Sequence, residues 1–340
     1  MRKLFLSMTI FAIVLGAAAA YNPPVQGENL FFLSHPELLT GGNSVAGDGI
    51  QSIMPATGTI NPALIGMEER VTLDFGYTGM INSRNSGFSN MYSQAFGAGI
   101  IVPTDWVNIG GELEFILDEN CMGLGDSFHI KAMASKQILD KLYIGVSMGF
   151  GYEWKMIDDW MLTADVGAVY KIGDLGFLKN LRIAASANNL GKTLNTSHDW
   201  QGYPGMFAIK AGAAAELVNV EKFILGLSLD VTTPLFTNCI LDSGLQMRIC
   251  DFVQINTSWQ FNFKEFFDGN NSWLPTVGLI FKIPIGMGKS EFVKKNDWSS
   301  SELSPSVGWK NVDWDVNLFS AGAVLRLGQL DNSGPDIEME

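Results

Sequence analysis

Residues 142–153 read Leu142-Tyr-Ile-Gly-Val-Ser-Met-Gly-Phe-Gly-Tyr-Glu153, and every second position from Leu142 onward is apolar. A period of two places alternate side chains on opposite faces of a β-strand, so this stretch predicts a half-buried strand. The same alternation recurs in runs at Val71–Tyr77, Val107–Leu117, Phe128–Ser135, Leu162–Ile172, Phe207–Leu217, Phe223–Val231, Val253–Phe261 and Val277–Ile285.

The composition limits what such strands can build. The chain has 340 residues, of which 47% are hydrophobic and 17% charged, and its formal net charge is −13. Soluble domains are about 25% charged, so this chain offers little surface to water, although its length suits either two soluble domains or one large β domain. After residue 20, no uncharged apolar run reaches the roughly 18 residues of a membrane helix. An acidic chain without a dense Lys/Arg stripe also argues against nucleic acid as a partner.

The length of the runs points to membrane-spanning strands. They extend over about 10–13 residues, whereas strands of soluble proteins average about 5–6 and a tilted transmembrane strand needs about 9–11. Lipid offers no hydrogen-bond partner to a sheet edge, so the sheet must close. The sequence predicts an all-β, antiparallel transmembrane barrel of about 14 strands, with 12 as the fallback. Aromatic residues near the run ends suit interfacial girdles, although they could also be ordinary core residues: Trp106, Trp154, Trp160, Tyr170, Trp259, Trp273 and Trp314.

The connections between the runs also suit an outer-membrane barrel, in which short turns occupy one end and longer loops the other. We expect the thirteenth strand near Met287–Lys294. Tight links are predicted at Pro103–Asp105, Ile138–Lys141, Val218–Glu221 and Cys250–Asp251, and long ones at Asn82–Ser89, Asp118–Asp126, Gly191–Gly205, Lys264–Ser272 and around Asn296–Asn311.

The chain ends suggest export and four segments. Residues 1–20 combine a basic start, an apolar core and Ala18-Ala-Ala20, which predicts a cleavable signal peptide; an uncleaved anchor is the alternative. Export together with the predicted barrel indicates localisation in the cell outer membrane. Residues 21–68 are predicted to form an N-terminal hatch inside the barrel, 69–328 the barrel, and 329–340 an acidic, solvated tail. The tail departs from the aromatic C-terminus common among such barrels.

Cysteine usage and motif spacing favour neither disulfides nor enzyme chemistry. Cys239 and Cys250 should flank one strand, too far apart to form a disulfide. Gly145-Val-Ser-Met-Gly149 matches a nucleophile motif, but Ser147 lies within an alternating strand where no strand-to-helix elbow can form. Gly288-Lys-Ser290 lacks the first glycine of a phosphate loop. His35, His129 and His198 show no metal-ligand spacing, so we expect no catalytic residue, metal or cofactor.

The segment before the first strand lacks alternation, and its glycines predict compact turns with one short helix at Ser44–Ile53. Gly42-Asn-Ser44, Ala46-Gly47-Asp48 and Asn61-Pro62-Ala-Leu64 resemble the hatch of FadL-type long-chain fatty-acid transporters. They also resemble the start of PorV/PorQ-like barrels, a related branch. Ala164–Tyr170 and Leu181–Gly191 are similar to the mid-barrel signature of that branch.

This resemblance implies a barrel of 14 strands, a hatch within it, and diffusion of hydrophobic molecules across the outer membrane. It also implies a wall that opens sideways at the third strand. Gly110-Gly111 falls there and suits a gap in pairing, although the pair could merely ease strand curvature.

Three functions follow from these patterns. The first is facilitated uptake of long-chain fatty acids or other hydrophobic small molecules. The second is a PorV-like scaffold or shuttle for secreted proteins, which would bind through the loops Gly191–Gly205 and Asn296–Asn311; the third is a general porin, against which a plug argues. Expected partners are membrane lipids, a lipopolysaccharide-type outer leaflet, a hydrophobic ligand and, for the scaffold, secreted proteins. The residues expected to touch a ligand, unless they are inert plug packing, are Phe31, Phe32, Ile53, Met54 and Ile60.

Overall fold

The computed structural model describes nine ranges of the chain: 32–82, 92–119, 126–155, 158–194, 207–236, 238–268, 274–285, 301–312 and 316–328. The predicted signal peptide, the acidic tail and Phe31 lie outside these residues.

The described strands form one closed antiparallel sheet, in which strands that follow each other around the barrel pair and the last pairs with the first. Strands β12 (Thr276–Phe281) and β13 (Ile283–Ile285) both pair with β14 (Ser301–Val312), so they are two halves of one barrel strand interrupted at Lys282. The barrel therefore has 14 strands, which confirms the prediction. Their bounds are β1 Thr72–Asn82, β2 Tyr92–Val102, β3 Asn108–Glu119, β4 Ser127–Leu139, β5 Leu142–Glu153, β6 Asp159–Leu175, β7 Leu178–Lys192, β8 Ala208–Val220, β9 Phe223–Pro234, β10 Ile240–Ile249, β11 Val253–Asn262, β12 Thr276–Phe281, β13 Ile283–Ile285, β14 Ser301–Val312 and β15 Val316–Arg326.

The two faces of the wall differ as the alternation predicts. On β1, Leu73 and Phe75 point outward and are 36% and 55% exposed, whereas Thr72 and Asp74 point inward and are 0% and 5% exposed. A lipid-facing surface requires apolar side chains, while the polar side chains of a barrel are tolerated only inside it. The alternation thus sorts the residues between membrane and lumen.

The connections agree with the prediction at most places. Two-residue turns join β4 to β5 and β8 to β9, and the three residues 250–252 join β10 to β11. We call the end that carries these turns the turn end. The opposite end, which carries the connections 83–91, 193–207 and 263–275, is called the loop end.

The prediction of a long loop around Asn296–Asn311 is wrong, because strand β14 covers Ser301–Val312. Pro305 breaks the pattern of a central strand, yet Leu303, Val307 and Trp309 alternate with lumen-facing serines and Lys310. The long connection is instead 286–300, at the turn end, and the expected strand near Met287–Lys294 falls outside the described residues.

The segment before β1 lies inside the barrel, as predicted. It contains helix α1 at Pro36–Thr40 and two 3-10 helices at Pro55–Thr59 and Pro62–Met67. The predicted helix at Ser44–Ile53 is wrong: this stretch consists of turns, because Gly47 and Gln51 adopt positive φ angles that interrupt a helix. A second short helix, α2 at Phe263–Asp268, follows β11. Among the described residues, no helix is long and apolar enough to cross a membrane.

The core lies between the hatch and the inner wall. Ile53, Leu64 and Ile65 of the hatch pack against Ile101 of β2 and Met133 of β4, and all five side chains are buried. Burial of such side chains is the main favourable contribution to docking the hatch. Cys239 and Cys250 flank β10 as free thiols, which confirms that they do not pair.

Candidate functional site

The Asn61-Pro62 motif holds the hatch against the middle of the wall. The Asn61 side chain accepts a hydrogen bond from the Ala63 N–H and donates one to the Val45 carbonyl at 2.8 Å. Asn61 caps the second 3-10 helix in this way, with Pro62 at its first position. Opposite the motif, a Cβ at Gly145 of β5 would lie 2.2 Å from the Pro62 carbonyl carbon, and one at Gly167 of β6 only 1.9 Å from Asn61 Oδ1. These two wall glycines let the hatch backbone approach the sheet directly.

The glycine motif of the hatch is fastened in a similar way to β10. Gly42 has a φ of 84°, and a Cβ there would lie 2.8 Å from the Gly244 Cα of β10. Only glycine adopts this conformation at no steric cost. Gly47 has a φ of 78°, and Asp48 accepts a hydrogen bond from the Ser52 N–H at 2.7 Å. Each of these predicted motif residues therefore shapes the hatch.

A buried arginine of the wall fastens the same loop. Arg182 of β7 is 0% exposed and donates hydrogen bonds to the backbone carbonyls of Ala46 and Asp48. A buried guanidinium needs several acceptors, and here the hatch backbone supplies two of them.

A cavity of about 70 Å³ remains between the hatch and the wall at the loop end. One side of the cavity is apolar and is formed mainly by the hatch, whereas polar side chains of the wall form much of the other side. The described lining residues are Phe32, Leu33, Leu39, Asn43 and Ile60 of the hatch and Asn188, Asn189, Ala208, Lys210, Thr232, Pro234, Ile240, Asp242, Gln260 and Lys310 of the wall.

Some of the polar lining residues are already engaged with the hatch. Lys210 donates to the Asn43 carbonyl at 2.6 Å, and Asn188 donates to the Ile60 carbonyl at 2.9 Å. The Asp242 carboxylate accepts a hydrogen bond from Gln260 at 2.9 Å. These contacts hold the hatch and satisfy the wall, so the surface left for a ligand is dominated by apolar side chains.

The structure brings three of the residues predicted to touch a ligand together, because Phe32, Met54 and Ile60 pack in one apolar cluster, whereas Ile53 belongs to another. Phe32 and Ile60 line the loop-end cavity. Met54 packs in the same cluster as these two residues, together with Leu38 and Ala56. Ile53 lies toward the turn end, and Phe31 is outside the described residues. Sequence reasoning missed the lumen-facing wall residues of the cavity, for which the only signal is their position at the loop ends of alternating strands.

A second cavity, of about 360 Å³, lies at the turn end and is strongly charged. Arg326 bridges the hatch and the wall there, at 3.4 Å from Glu68 and 3.3 Å from Glu302. Other charged side chains around this cavity are Glu69, Arg70, Arg248 and Lys282. The hatch separates this charged space from the partly apolar cavity at the loop end.

The wall is continuous at Gly110-Gly111. Both residues pair with β2 on one side and β4 on the other, with no shift in register. A Cβ at Gly110 would lie 3.2 Å from the hatch residue Ile65, so this glycine faces the hatch. Register shifts occur instead in the pairs β4–β5, β6–β7, β7–β8 and β8–β9. Lateral opening at the glycine pair stays a prediction.

The inner wall carries a buried ion pair where the nucleophile motif lies. Ser147 points into the lumen from an unbroken β5 and donates to Asp165, which confirms its interpretation as a lumen-facing hydroxyl. Asp165 also pairs with Lys131 at 2.7 Å. This ion pair belongs to the wall of the barrel, where the buried ammonium and the buried carboxylate neutralise each other.

A second polar cluster joins the hatch to β1 and β3. His35 Nε2 lies 3.6 Å from Asp74 Oδ1 and 3.6 Å from Glu112 Oε1, and all three side chains are buried. Sequence spacing does not reveal this grouping, because the three residues are far apart in the chain. Lumen-facing glycines on the neighbouring strands are the one local signal, since a Cβ at Gly97 would lie 2.2 Å from the His35 ring.

Comparison with known proteins supports the fold. No protein-family model matches the chain, and no curated protein sequence matches it. Among solved structures, the toluene transporter TbuX of Ralstonia pickettii is similar, with a TM-score of 0.54 and 11% identity over 89% of this chain and 99% of that one. The monoaromatic hydrocarbon channel CymD gives 0.50 and 11% over 89% and 98%. The toluene transporter TodX of P. putida gives 0.50 and 10% over 88% and 99%. At such identities the likeness establishes the fold: an outer-membrane type of β-barrel with an N-terminal segment inside it.

Proposed function

We propose that this protein is an outer-membrane channel through which hydrophobic small molecules diffuse, in the manner of the FadL-type transporters. The observation that carries the proposal is the loop-end cavity, which the hatch and the wall form together and whose hatch side is apolar. Long-chain fatty acids and monoaromatic hydrocarbons are the two substrate classes proposed. The first follows from the hatch motifs, and the second from the structural similarity to TbuX, CymD and TodX.

The lining of the cavity favours an apolar ligand. Phe32, Leu33, Leu39 and Ile60 present apolar side chains, while Lys210 is bonded to the hatch backbone. Each CH₂ group that leaves water contributes about 0.8 kcal/mol, so an acyl chain or an aromatic ring would partition into such a space.

The size of the cavity implies that the hatch moves during transport. A cavity of about 150 Å³ in another protein accepts benzene, whereas this one measures about 70 Å³. A ring or an acyl chain therefore fits only when hatch side chains such as Phe32 and Ile60 shift. A ligand that binds the shifted hatch more tightly would favour that state.

The turn-end cavity is an unfavourable exit route for an apolar ligand. Its Arg326–Glu68 and Arg326–Glu302 pairs would be poor neighbours for an uncharged molecule. Release through the wall into lipid avoids this space, and Gly110-Gly111 is the proposed place. We expect Gly110→Val combined with Gly111→Val to reduce ligand uptake while barrel insertion stays intact. Normal uptake by this variant would contradict lateral release there.

The route through the cavity can be tested with a matched pair of variants on β8. Ala208 faces the cavity, whereas Ala211 faces outward on the same strand. When labelled palmitate or toluene is added outside proteoliposomes, Ala208→Trp should block its uptake by filling the cavity. Ala211→Trp should leave uptake unchanged, because it adds an aromatic ring on the lipid side. Equal uptake by the two variants would refute transport through the cavity.

Measurements on the same proteoliposomes distinguish the proposed channel from the other two functions, the scaffold and the general porin. Uptake of neither palmitate nor toluene, together with co-purification of secreted proteins, would favour the PorV-like scaffold. That proposal is weakened in one respect, because most of its binding loop Asn296–Asn311 is strand β14. Steady single-channel conductance to ions would instead favour a general porin, which the hatch inside the barrel opposes.

A further inference from the structure

We infer that His35, Asp74 and Glu112 form a binding site for one divalent transition-metal ion of the zinc class, which links the hatch to the barrel wall. Each residue offers a ligand atom, and these three atoms lie within 4.8 Å of one another. The ion would hold the start of helix α1, through His35, to strands β1 and β3.

The strongest argument is that the candidate ligand atoms are buried and that no described residue forms a hydrogen bond with them. Within the part of the chain that the structure describes, His35 Nε2, Asp74 Oδ1 and both Glu112 carboxylate oxygens are buried without a hydrogen bond. The 3.6 Å separations are too long for hydrogen bonds. Buried charged groups without a partner are costly, whereas one cation held by the three converging ligand atoms would give each of the three side chains a partner.

The hydrogen bonds around the cluster orient the candidate ligand atoms. His35 Nδ1 is 2.9 Å from Ser34 Oγ, and Ser34 Oγ donates to Glu114 Oε1 at 3.3 Å. The hydroxyl therefore accepts from Nδ1–H, which leaves the lone pair on Nε2 facing Asp74 and Glu112. The other oxygen of Asp74 accepts from the Ala56 N–H at 2.8 Å. Such outer hydrogen bonds are how proteins fix the tautomer of a metal-binding histidine and the orientation of a carboxylate ligand.

The wall is shaped around the cluster. Asp74, Gly99 and Glu112 are directly paired across β1, β2 and β3, so the glycine stands between the two carboxylates. A Cβ at Gly99 would lie 1.9 Å from Glu112 Oε2 and 2.8 Å from Asp74 Oδ1. Glycine at this position therefore keeps the space between the carboxylates clear.

The two distances from His35 Nε2 to the carboxylates suit zinc. With bonds of about 2.1 Å, a donor separation of 3.6 Å corresponds to an angle of about 118° at the metal, between tetrahedral and trigonal. One imidazole with two carboxylates is a donor set that zinc and its neighbours in the transition series accept. Lys131 is paired with Glu112 in the sheet, but its ammonium is directed to Asp165 at 2.7 Å.

A proton on His35 is the competing occupant. Burial by itself lowers the pKa of His35, but the carboxylates of Asp74, Glu37 and Glu114 outweigh this effect and raise the pKa above its ordinary value. An imidazolium would supply one positive charge to the two nearby carboxylates, whereas a metal ion would supply two. The experiment must therefore distinguish a metal ion from a proton.

The test is to refold the full chain in detergent with Zn²⁺, desalt it, and measure bound metal by mass spectrometry. We expect about one Zn²⁺ per chain for the parent and less than about a tenth of that for His35→Gln and for Glu112→Gln, because each loses a ligand. His129→Gln is the matched control, since His129 is also buried against a glutamate, at 3.4 Å from Glu114. It should keep the metal. Heat-modifiable migration in gels verifies that each variant forms a barrel.

Cobalt gives a second readout that does not depend on stoichiometry. Refolding with Co²⁺ should produce visible absorption bands in the parent and in His129→Gln, and none in His35→Gln. A folded parent that binds no zinc and shows no cobalt bands would overturn the metal site and leave a protonated His35 as the occupant. Equal zinc binding by the parent and His35→Gln would overturn it as well. Neither result would bear on transport, which is measured separately.

Discussion

The hatch meets the wall differently in the middle of the barrel and at its loop end. In the middle, Asn61 and Pro62 approach β5 and β6 so closely that Gly145 and Gly167 have no room for a side chain. At the loop end, Phe32 and Ile60 face Ala208 across a cavity. Backbone contacts permit little displacement, whereas side chains around a cavity can change rotamer. The difference teaches that ligand-driven motion of the hatch should begin at the loop end.

The largest expected loss of stability comes from a substitution in the wall, beside the place where the hatch contacts β5 and β6. Lys131→Met leaves Asp165 buried without its ion-pair partner and should lower the free energy of unfolding by about 3–5 kcal/mol. Urea denaturation in lipid vesicles, followed by tryptophan fluorescence, measures the change.

Lys179→Met is the control for this variant. Lys179 also lies 2.7 Å from an aspartate, Asp174, but both side chains are about half exposed or more. Exposed ion pairs contribute little, so this variant should unfold close to the parent. Similar losses in the two variants would mean that the interior around Asp165 is not dry.

A smaller loss of stability is expected from adding a side chain where the hatch backbone contacts the wall. In Gly145→Ala, the new methyl group would meet the backbone of Pro62, which cannot rotate away, so we expect a cost of about 3 kcal/mol and a displaced hatch. Limited proteolysis of the hatch and urea denaturation report the two effects. Gly111→Ala is the matched wall variant, because the nearest atom to its Cβ is 3.7 Å away, and it should behave like the parent. A hatch that stays protected in Gly145→Ala would contradict the close backbone contact.

The smallest effect on stability is expected at the loop end. Phe32 is only partly buried, so Phe32→Ala should cost about 1 kcal/mol while it widens the cavity. Uptake of toluene and palmitate by proteoliposomes should rise several-fold. Phe319→Ala is the comparison, since Phe319 lies on the outside of β15 and is 53% exposed. If both substitutions raise uptake alike, the gain reflects a looser barrel and not a wider cavity.

The alternation of side chains predicted the barrel because it is a local property. Leu73, Phe75 and the β5 run reveal their faces without any knowledge of their neighbours, and the closed sheet follows from the absence of hydrogen-bond partners in lipid. Strand β14 was missed for a local reason as well. Pro305 and the serines around it carry turn signals, and only the pairing of β14 with β12, β13 and β15 overrides them.

Within the site, sequence reasoning found part of the hatch and little of what it touches. The motif residues Gly42, Asn61 and Pro62 stand in a continuous stretch with recognisable turn and cap chemistry, and all three fasten the hatch. The cavity residues Lys210 and Asp242 carry no such signal, because their role comes from facing the hatch across the lumen.

The amino-acid order by itself determined most of the strands, their two faces and the presence of a segment without alternation before them, since each depends on neighbours a few positions apart. Tertiary structure alone decided which lumen-facing groups meet. His35 reaches Asp74 and Glu112 only because sheet closure sets the register of β1, β2 and β3 and because the hatch packs against that register. Contacts between residues distant in the chain depend on the position of every intervening strand, which no local pattern encodes.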